Sequence, residues 1–192
     1  MERVKSFSKV AAIVSLLLIA VAIMFDCGGR GSRWPLLTLV APVTLSLLFV
    51  IYFSLLNKAG KPYHSLSILG IVAFFARLLS QLMVCATYCV YNYLHKDTLG
   101  ISMASGFLNY VHYILLLVTF LLLQVRFKQN PFLRAVTILF PLALVGLFVS
   151  SLVNLASVQT PVYEYLRAIV PYLMSAAFFY VYSNFNTNTI LS

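Results

Sequence analysis

Long runs of apolar residues alternate with short polar connectors along the whole chain, and there are six such runs. A helix that crosses the roughly 30 Å hydrocarbon core of a bilayer needs about 20 apolar residues. The runs lack the alternation at every second position that is typical of membrane-barrel strands. In lipid, a helix also bonds all of its own backbone amides and carbonyls. We therefore predict an all-α integral membrane protein, a bundle of six transmembrane helices.

Charged residues, prolines and glycines mark the predicted ends of these helices. The connectors are too short for a soluble domain, so residues 1–192 are predicted to form a single polytopic membrane domain. The first run follows basic residues and contains Ala20 and Ala22, a pattern also found at signal-peptide cleavage sites. Because the run continues to Phe25, we keep it as a helix. The predicted helices span 10–25, 34–56, 65–94, 99–125, 131–157 and 161–183.

Helices 2, 5 and 6 each have a proline inside the predicted span, at Pro42, Pro141 and Pro171. Proline has no backbone N–H, and its ring clashes with the preceding turn of a helix. We therefore predict that these three helices are kinked. Kinks of this kind can shape a cavity between neighbouring helices.

The composition agrees with this architecture and excludes a soluble fold. Hydrophobic residues make up 62% of the chain and charged residues 9%, with a mean hydropathy of +0.97. A soluble domain carries about 25% charged residues. The net charge of +9 does not indicate nucleic-acid binding, because the 13 lysines and arginines are scattered over short connectors. Membrane lipids are the expected partners of this charge.

The distribution of basic residues predicts the orientation of the bundle. With the N-terminus inside, eight basic residues fall on the inner side and four on the outer side. Positive residues are enriched in cytoplasmic loops, so both termini are predicted to be cytoplasmic. We take a bacterial plasma membrane as the default location. The inner residues are Arg3, Lys5, Lys9, Lys58, Lys61, Arg126, Lys128 and Arg134, and the outer residues are Arg30, Arg33, Lys96 and Arg167.

Polar side chains inside the spans form the candidate site. Charged and amide side chains are costly when they face lipid, so we expect them to point into the bundle. In the predicted topology they surround an outward-facing polar pocket between helices 3 to 6. The candidate ligand-binding residues are Arg77 and Gln81 on helix 3, Asn109 and His112 on helix 4, Asn154 on helix 5, and Glu164 and Arg167 on helix 6.

Arg77 is the deepest charge in the predicted bundle. Three arrangements would satisfy it: a salt bridge to Glu164, hydrogen bonds to carbonyls and to amides such as Gln81, or an anion from outside the chain. His112 is the only histidine placed well inside a span. A bis-histidine haem site needs a second one, so haem is excluded and a hydrogen-bonding or packing role is favoured over proton transfer.

The remaining residue patterns predict no cofactor, no metal site and no catalytic residue. The three cysteines form neither a disulfide framework nor a zinc motif. Four acidic residues give no cluster for a magnesium–phosphate site. The chain also lacks a P-loop, a nucleophile-elbow motif and a zinc-protease motif.

Three functions remain open at this stage. The first is a protein that binds or transports a small solute, such as an anion, through the outer pocket. The second is a structural or accessory subunit that assembles with membrane partners or with further copies of itself, its polar residues holding helices together. The third is a lipid-modifying enzyme, which the scarcity of carboxylates makes the weakest of the three.

Overall fold

In a computed structural model, the described residues of the chain form six α-helices and no strand. The structure describes residues 2–27, 37–58, 63–95, 97–126, 131–154 and 161–184; several side chains at helix ends, in α5 and in the first turns of α6 are outside the description. The helices are α1 Glu2–Ala22, α2 Val40–Lys58, α3 His64–Leu94, α4 Leu99–Arg126, α5 Pro131–Asn154 and α6 Pro161–Asn184. A π-helical turn (Ile23–Cys27) follows α1 and a 3-10 turn (Leu37–Leu39) precedes α2.

The all-helical prediction is confirmed, and the predicted bounds of α3 and α4 are correct to within one residue. The predicted start of the first helix at residue 10 is wrong, because α1 begins at Glu2. The basic residues there are good helix formers, and a helix can extend beyond the apolar run that defines its span. The predicted start of helix 2 (residues 34–36) and the predicted end of helix 5 (residues 155–157) lie outside the described residues.

Four helices in the described ranges are long and apolar enough to cross a membrane. They are Glu2–Phe25, Leu37–Lys58, His64–Leu94 and Leu99–Leu123. Two shorter apolar stretches, Arg134–Ala143 and Ile169–Ser183, lie within α5 and α6. This combination is typical of an integral membrane protein.

The helices pack in chain order, each one against the next, and α6 returns to pack against α1. Short connections favour such antiparallel neighbours. At the connection between α3 and α4, His95 adopts a left-handed backbone conformation that ends α3. Asp97 Oδ1 then accepts a hydrogen bond from the backbone N–H of Leu99 at 3.0 Å, which caps the start of α4. We call this side of the bundle, around residues 95–98, the α3–α4 end.

A cluster of aromatic rings fills the centre of the ring of helices. Phe49 of α2 is fully buried, and its ring lies 4.2 Å from that of Phe74 on α3. It also contacts Phe140 of α5 at 5.5 Å and Phe179 of α6 at 4.7 Å. One side chain therefore joins four helices, and this cluster is the main contact between α2 and the far side of the bundle.

Of the three prolines predicted to lie inside helices, the one in helix 2 lies elsewhere. Pro42 is the third residue of α2, whereas Pro141 and Pro171 lie inside α5 and α6. The first four N–H groups of an α-helix have no acceptor within that helix, so a proline there removes no α-helical hydrogen bond. The interior proline predicted to kink helix 2 is therefore a first-turn proline.

Candidate functional site

The polar residues of α3 and α4 meet in one line along the contact between these helices. Ala73, Arg77 and Ser80 are spaced by four and then three residues along α3, and their partners His112, Asn109 and Ser105 by three and then four residues along α4. Residues at this spacing lie on one face of a helix. Because the helices are antiparallel, each of the three positions on α3 lies opposite one of the three on α4. We call these six residues the α3–α4 seam.

Two of the contacts in the seam involve buried groups. Ser80 Oγ donates to the carbonyl of Ser105, and Ser105 Oγ donates to the carbonyl of Ser80, each at 3.0 Å. His112, which is 3% exposed, donates from Nδ1 to the carbonyl oxygen of Ala73 at 2.8 Å. A carbonyl oxygen only accepts, so Nδ1 carries the proton. Both contacts hold the two helices together.

Arg77 makes the third contact of the seam. Its Nη1 donates to Oδ1 of Asn109, and both side chains are half-buried. A guanidinium carries five N–H donors, so this bond uses one of them. The carboxylates whose side chains the structure describes, Glu2 and Asp97, are exposed at helix ends. Among the described side chains, the charge of Arg77 is therefore held by a neutral amide and not by a carboxylate.

Gln81 extends the polar contacts to α2. It is 5% exposed, and its Oε1 accepts a hydrogen bond from Ser46 Oγ at 3.2 Å. Gln81 follows Arg77 by one turn on α3, so the two polar side chains lie side by side on the helix surface. The seam and this pair together link α2, α3 and α4.

The buried side chains of α3 end one turn beyond Arg77, at Gln81. Gly70, Arg77 and Val84 are seven residues apart and fall within about 40° of one another around the helix. Gly70 is buried, Arg77 is half-buried and Val84 is 45% exposed. From residue 82 to residue 94, α3 has no buried side chain among those described. Toward the α3–α4 end the described side chains of α3 are accessible from residue 82 onward, beginning just over one turn beyond Arg77, and we call this accessible stretch the opening.

Four of the seven predicted site residues are described, and the structure brings them together. Arg77, Asn109 and His112 belong to the seam, and Gln81 lies next to it. The side chains of Asn154, Glu164 and Arg167 lie outside the described residues. The salt bridge to Glu164, one of the three arrangements considered for Arg77, therefore also lies outside them.

The sequence analysis missed Ser80 and Ser46, and it missed the carbonyl of Ala73. Ser80 lies three residues after Arg77, on the same helix face, so its position was a signal that could have been used. A backbone carbonyl has no sequence signal, because every residue carries one.

Removing both seam hydroxyls is expected to loosen α3 from α4. The double variant Ser80→Ala/Ser105→Ala should lower the free energy of unfolding by about 1 kcal/mol, since interhelical hydrogen bonds in membranes contribute about 0.6 to 1.7 kcal/mol. Titration of the folded protein with a denaturing detergent measures this loss. Ser102→Ala, at an exposed position of α4, is the control and should change nothing. An equal loss in the control would contradict a specific role for the pair.

Fold and seam together define a helical membrane protein with a polar line between two of its spans. Comparison with protein-family models, with curated proteins and with solved structures gives no match for this chain.

Proposed function

We propose that the chain is a six-span membrane protein, with both termini in the cytoplasm, that binds or transports a small anionic molecule at Arg77. The observation that carries this proposal is the half-buried guanidinium in the middle of α3, whose described hydrogen bond goes to neutral Asn109. The molecule would enter from the α3–α4 end, which is the outer end in the predicted topology.

The cost of an uncompensated charge supports an anionic partner. An arginine at the centre of a membrane helix costs at least about 2.5 kcal/mol unless it is paired or reaches water. A neutral amide satisfies one N–H but leaves the charge in place. Carboxylates and phosphate groups match the planar fork of a guanidinium and form bidentate, charge-assisted hydrogen bonds with it. An anion bound beside Asn109 would therefore remove most of that cost.

The shape of the bundle supports access to this position. The aromatic cluster closes the bundle on one side of Arg77, with Phe49 and Phe74 fully or nearly fully buried. On the other side, Val84 and its neighbours on α3 are exposed or half-buried. A binding site closed at one end and open at the other is what a solute-capturing membrane protein needs.

A second candidate function is a structural or accessory subunit, and one observation favours it. Gln81 and His112, two of the predicted ligand-binding residues, use their described hydrogen bonds to join helices. In this reading Arg77 and Asn109 do the same, and the exposed surface of α3 and α4 contacts other membrane proteins. The two functions differ in what happens when the charge of Arg77 is removed.

The test is native mass spectrometry of the protein released gently from its own membrane, with Arg77→Gln as the variant. Glutamine can still donate to Asn109 but has no charge. We expect a stoichiometric anionic adduct on the wild type and at least a tenfold lower occupancy on Arg77→Gln, with a folded protein in both cases. Lys9→Gln, which removes an exposed charge from α1, should keep the adduct.

Two further outcomes separate the alternatives. Stable partner subunits without any adduct, together with loss of assembly in Arg77→Gln, would favour the accessory-subunit reading and contradict the proposal. The third possibility is that the wild type carries no adduct and that Arg77→Gln and Glu164→Gln lose the same amount of stability. That result would show that Glu164 is the internal partner of Arg77. Under the proposal, Glu164→Gln retains the adduct.

A further inference from the structure

We infer that the site at Arg77 accepts a singly charged oxyanion, such as a carboxylate or a phosphodiester, in preference to a doubly charged one. This inference rests on the proposed function and specifies the class of molecule that the site takes. It follows from the single charge that the described side chains of α2, α3 and α4 place in the interior of the bundle, and from the low dielectric around that charge.

The described part of α2, α3 and α4 contributes one charge to the interior of the bundle. Lys58 and Arg126 lie at the last residues of their helices, so Arg77 is the charged side chain that remains within these spans. His112 is almost fully buried against Phe74 and bonds to a neutral carbonyl. A buried imidazole is ordinarily neutral.

The charges predicted for α6 do not alter this sum. Glu164 and Arg167 are three residues apart on α6, which places them on one face of the helix. Their side chains lie outside the described residues, and their formal charges are opposite and sum to zero. Among the described side chains of α2, α3 and α4, the interior charge is +1, from Arg77.

Charge balance then selects the ligand. A buried charge is tolerated when it is paired, and an unpaired excess charge in a low-dielectric site is strongly disfavoured. A monoanion neutralises Arg77, whereas a dianion leaves one negative charge without a partner. The hydrogen-bond donors agree with this, because four guanidinium N–H groups and the amide of Asn109 are enough for the oxygens of one carboxylate or phosphodiester.

The described wall of the opening favours a ligand with an apolar body. Val84 and Tyr88 lie about two and three turns beyond Arg77 on the same face of α3, and both have accessible surface. An aliphatic and an aromatic side chain at this position would contact the part of the molecule that carries no charge. A phenyl ester of phosphate has the corresponding parts.

A matched pair of probes tests the inference on the purified full-length protein. Methyl phenyl phosphate is a monoanion, and phenyl phosphate at pH 8 is a dianion, since the second pKa of a phosphate monoester is about 6. Isothermal titration in neutral phosphatidylcholine nanodiscs measures the affinity for each. We expect methyl phenyl phosphate to bind at least about tenfold more tightly than phenyl phosphate, and Arg77→Gln to bind neither.

The natural source of the monoanion is distinguished by repeating the titration in phosphatidylglycerol nanodiscs. Competition by this anionic lipid would identify a lipid phosphodiester as the occupant, and unchanged binding would identify a free solute; both support the inference. Equal or tighter binding of phenyl phosphate would overturn the charge preference while leaving an anion site at Arg77. If neither ester binds and the wild type behaves as Arg77→Gln does, the inference and the proposed function both fail.

Discussion

Replacing Phe49 with alanine is expected to lower the free energy of unfolding by about 3 to 5 kcal/mol, the range typical of large-to-small substitutions at fully buried aromatic positions. The Phe49 ring is 0% exposed and contacts rings on α3, α5 and α6. Lipid tails are as apolar as the side chain, so the loss comes from packing and not from exposure to water. The cavity would lie where four helices meet, and the structure can close it only by shifting a helix.

Phe75→Ala provides the matched control for Phe49→Ala. Phe75 lies next to Phe74 on α3 and is 50% exposed on the outside of the bundle. Removing its ring leaves no internal cavity, and the free energy of unfolding should change by less than about 1 kcal/mol. Unfolding both variants in a denaturing detergent compares them directly. Equal losses would mean that the aromatic cluster does not hold the bundle together.

Gly70→Ala is the second substitution with a large expected effect. A Cβ atom at position 70 would lie 2.5 Å from Cγ and 2.6 Å from Cδ1 of Phe53, which is fully buried beside Phe49. Neither the ring nor the backbone of α3 can move without disturbing the aromatic cluster. Overpacking of this kind costs about 1 to 3 kcal/mol, which more than offsets the roughly 1 kcal/mol by which alanine favours a helix. Thermal unfolding should show a clear decrease in Tm.

Gly106→Ala tests whether the contact with Phe53 is the cause. Gly106 lies within α4, and a Cβ atom there would meet nothing within 4 Å. This variant should have the same stability as the wild type or be slightly more stable, because only the helix propensity changes. A second check is Phe53→Leu in the Gly70→Ala background, which should restore part of the lost stability. The explanation fails if Gly70→Ala proves as stable as Gly106→Ala.

The helices of this protein could be predicted where the apolar pattern and the boundary residues agree. α3 and α4 are bounded by His64, the short connection around Asp97 and a basic stretch, and their ends were predicted to within one residue. The start of α1 could not be predicted in this way, because residues 2–9 are mostly polar and continue the helix without belonging to the apolar run. Pro42 was placed wrongly within its helix because the described part of α2 begins later than the apolar pattern does.

The candidate site was predictable in its residues but not in its contacts. The cost of polar groups in lipid is enough to select Arg77, Gln81 and His112 from the sequence. Which groups they bond depends on the register of α3 against α4, and that register is set by packing along the whole contact between the two helices. The partner of His112 is a backbone carbonyl, at Ala73, and no residue pattern reports it.

An experimental structure of the wild-type protein in lipid nanodiscs, at a resolution that shows side chains and bound molecules, tests the central claim most directly. The account predicts non-protein density of an anionic group within hydrogen-bond distance of the Arg77 guanidinium, beside Asn109, with access from the α3–α4 end. A structure in which the Glu164 carboxylate and backbone carbonyls occupy all the N–H groups of Arg77 would contradict it. In that case the polar residues of α3 and α4 would serve to hold the bundle together.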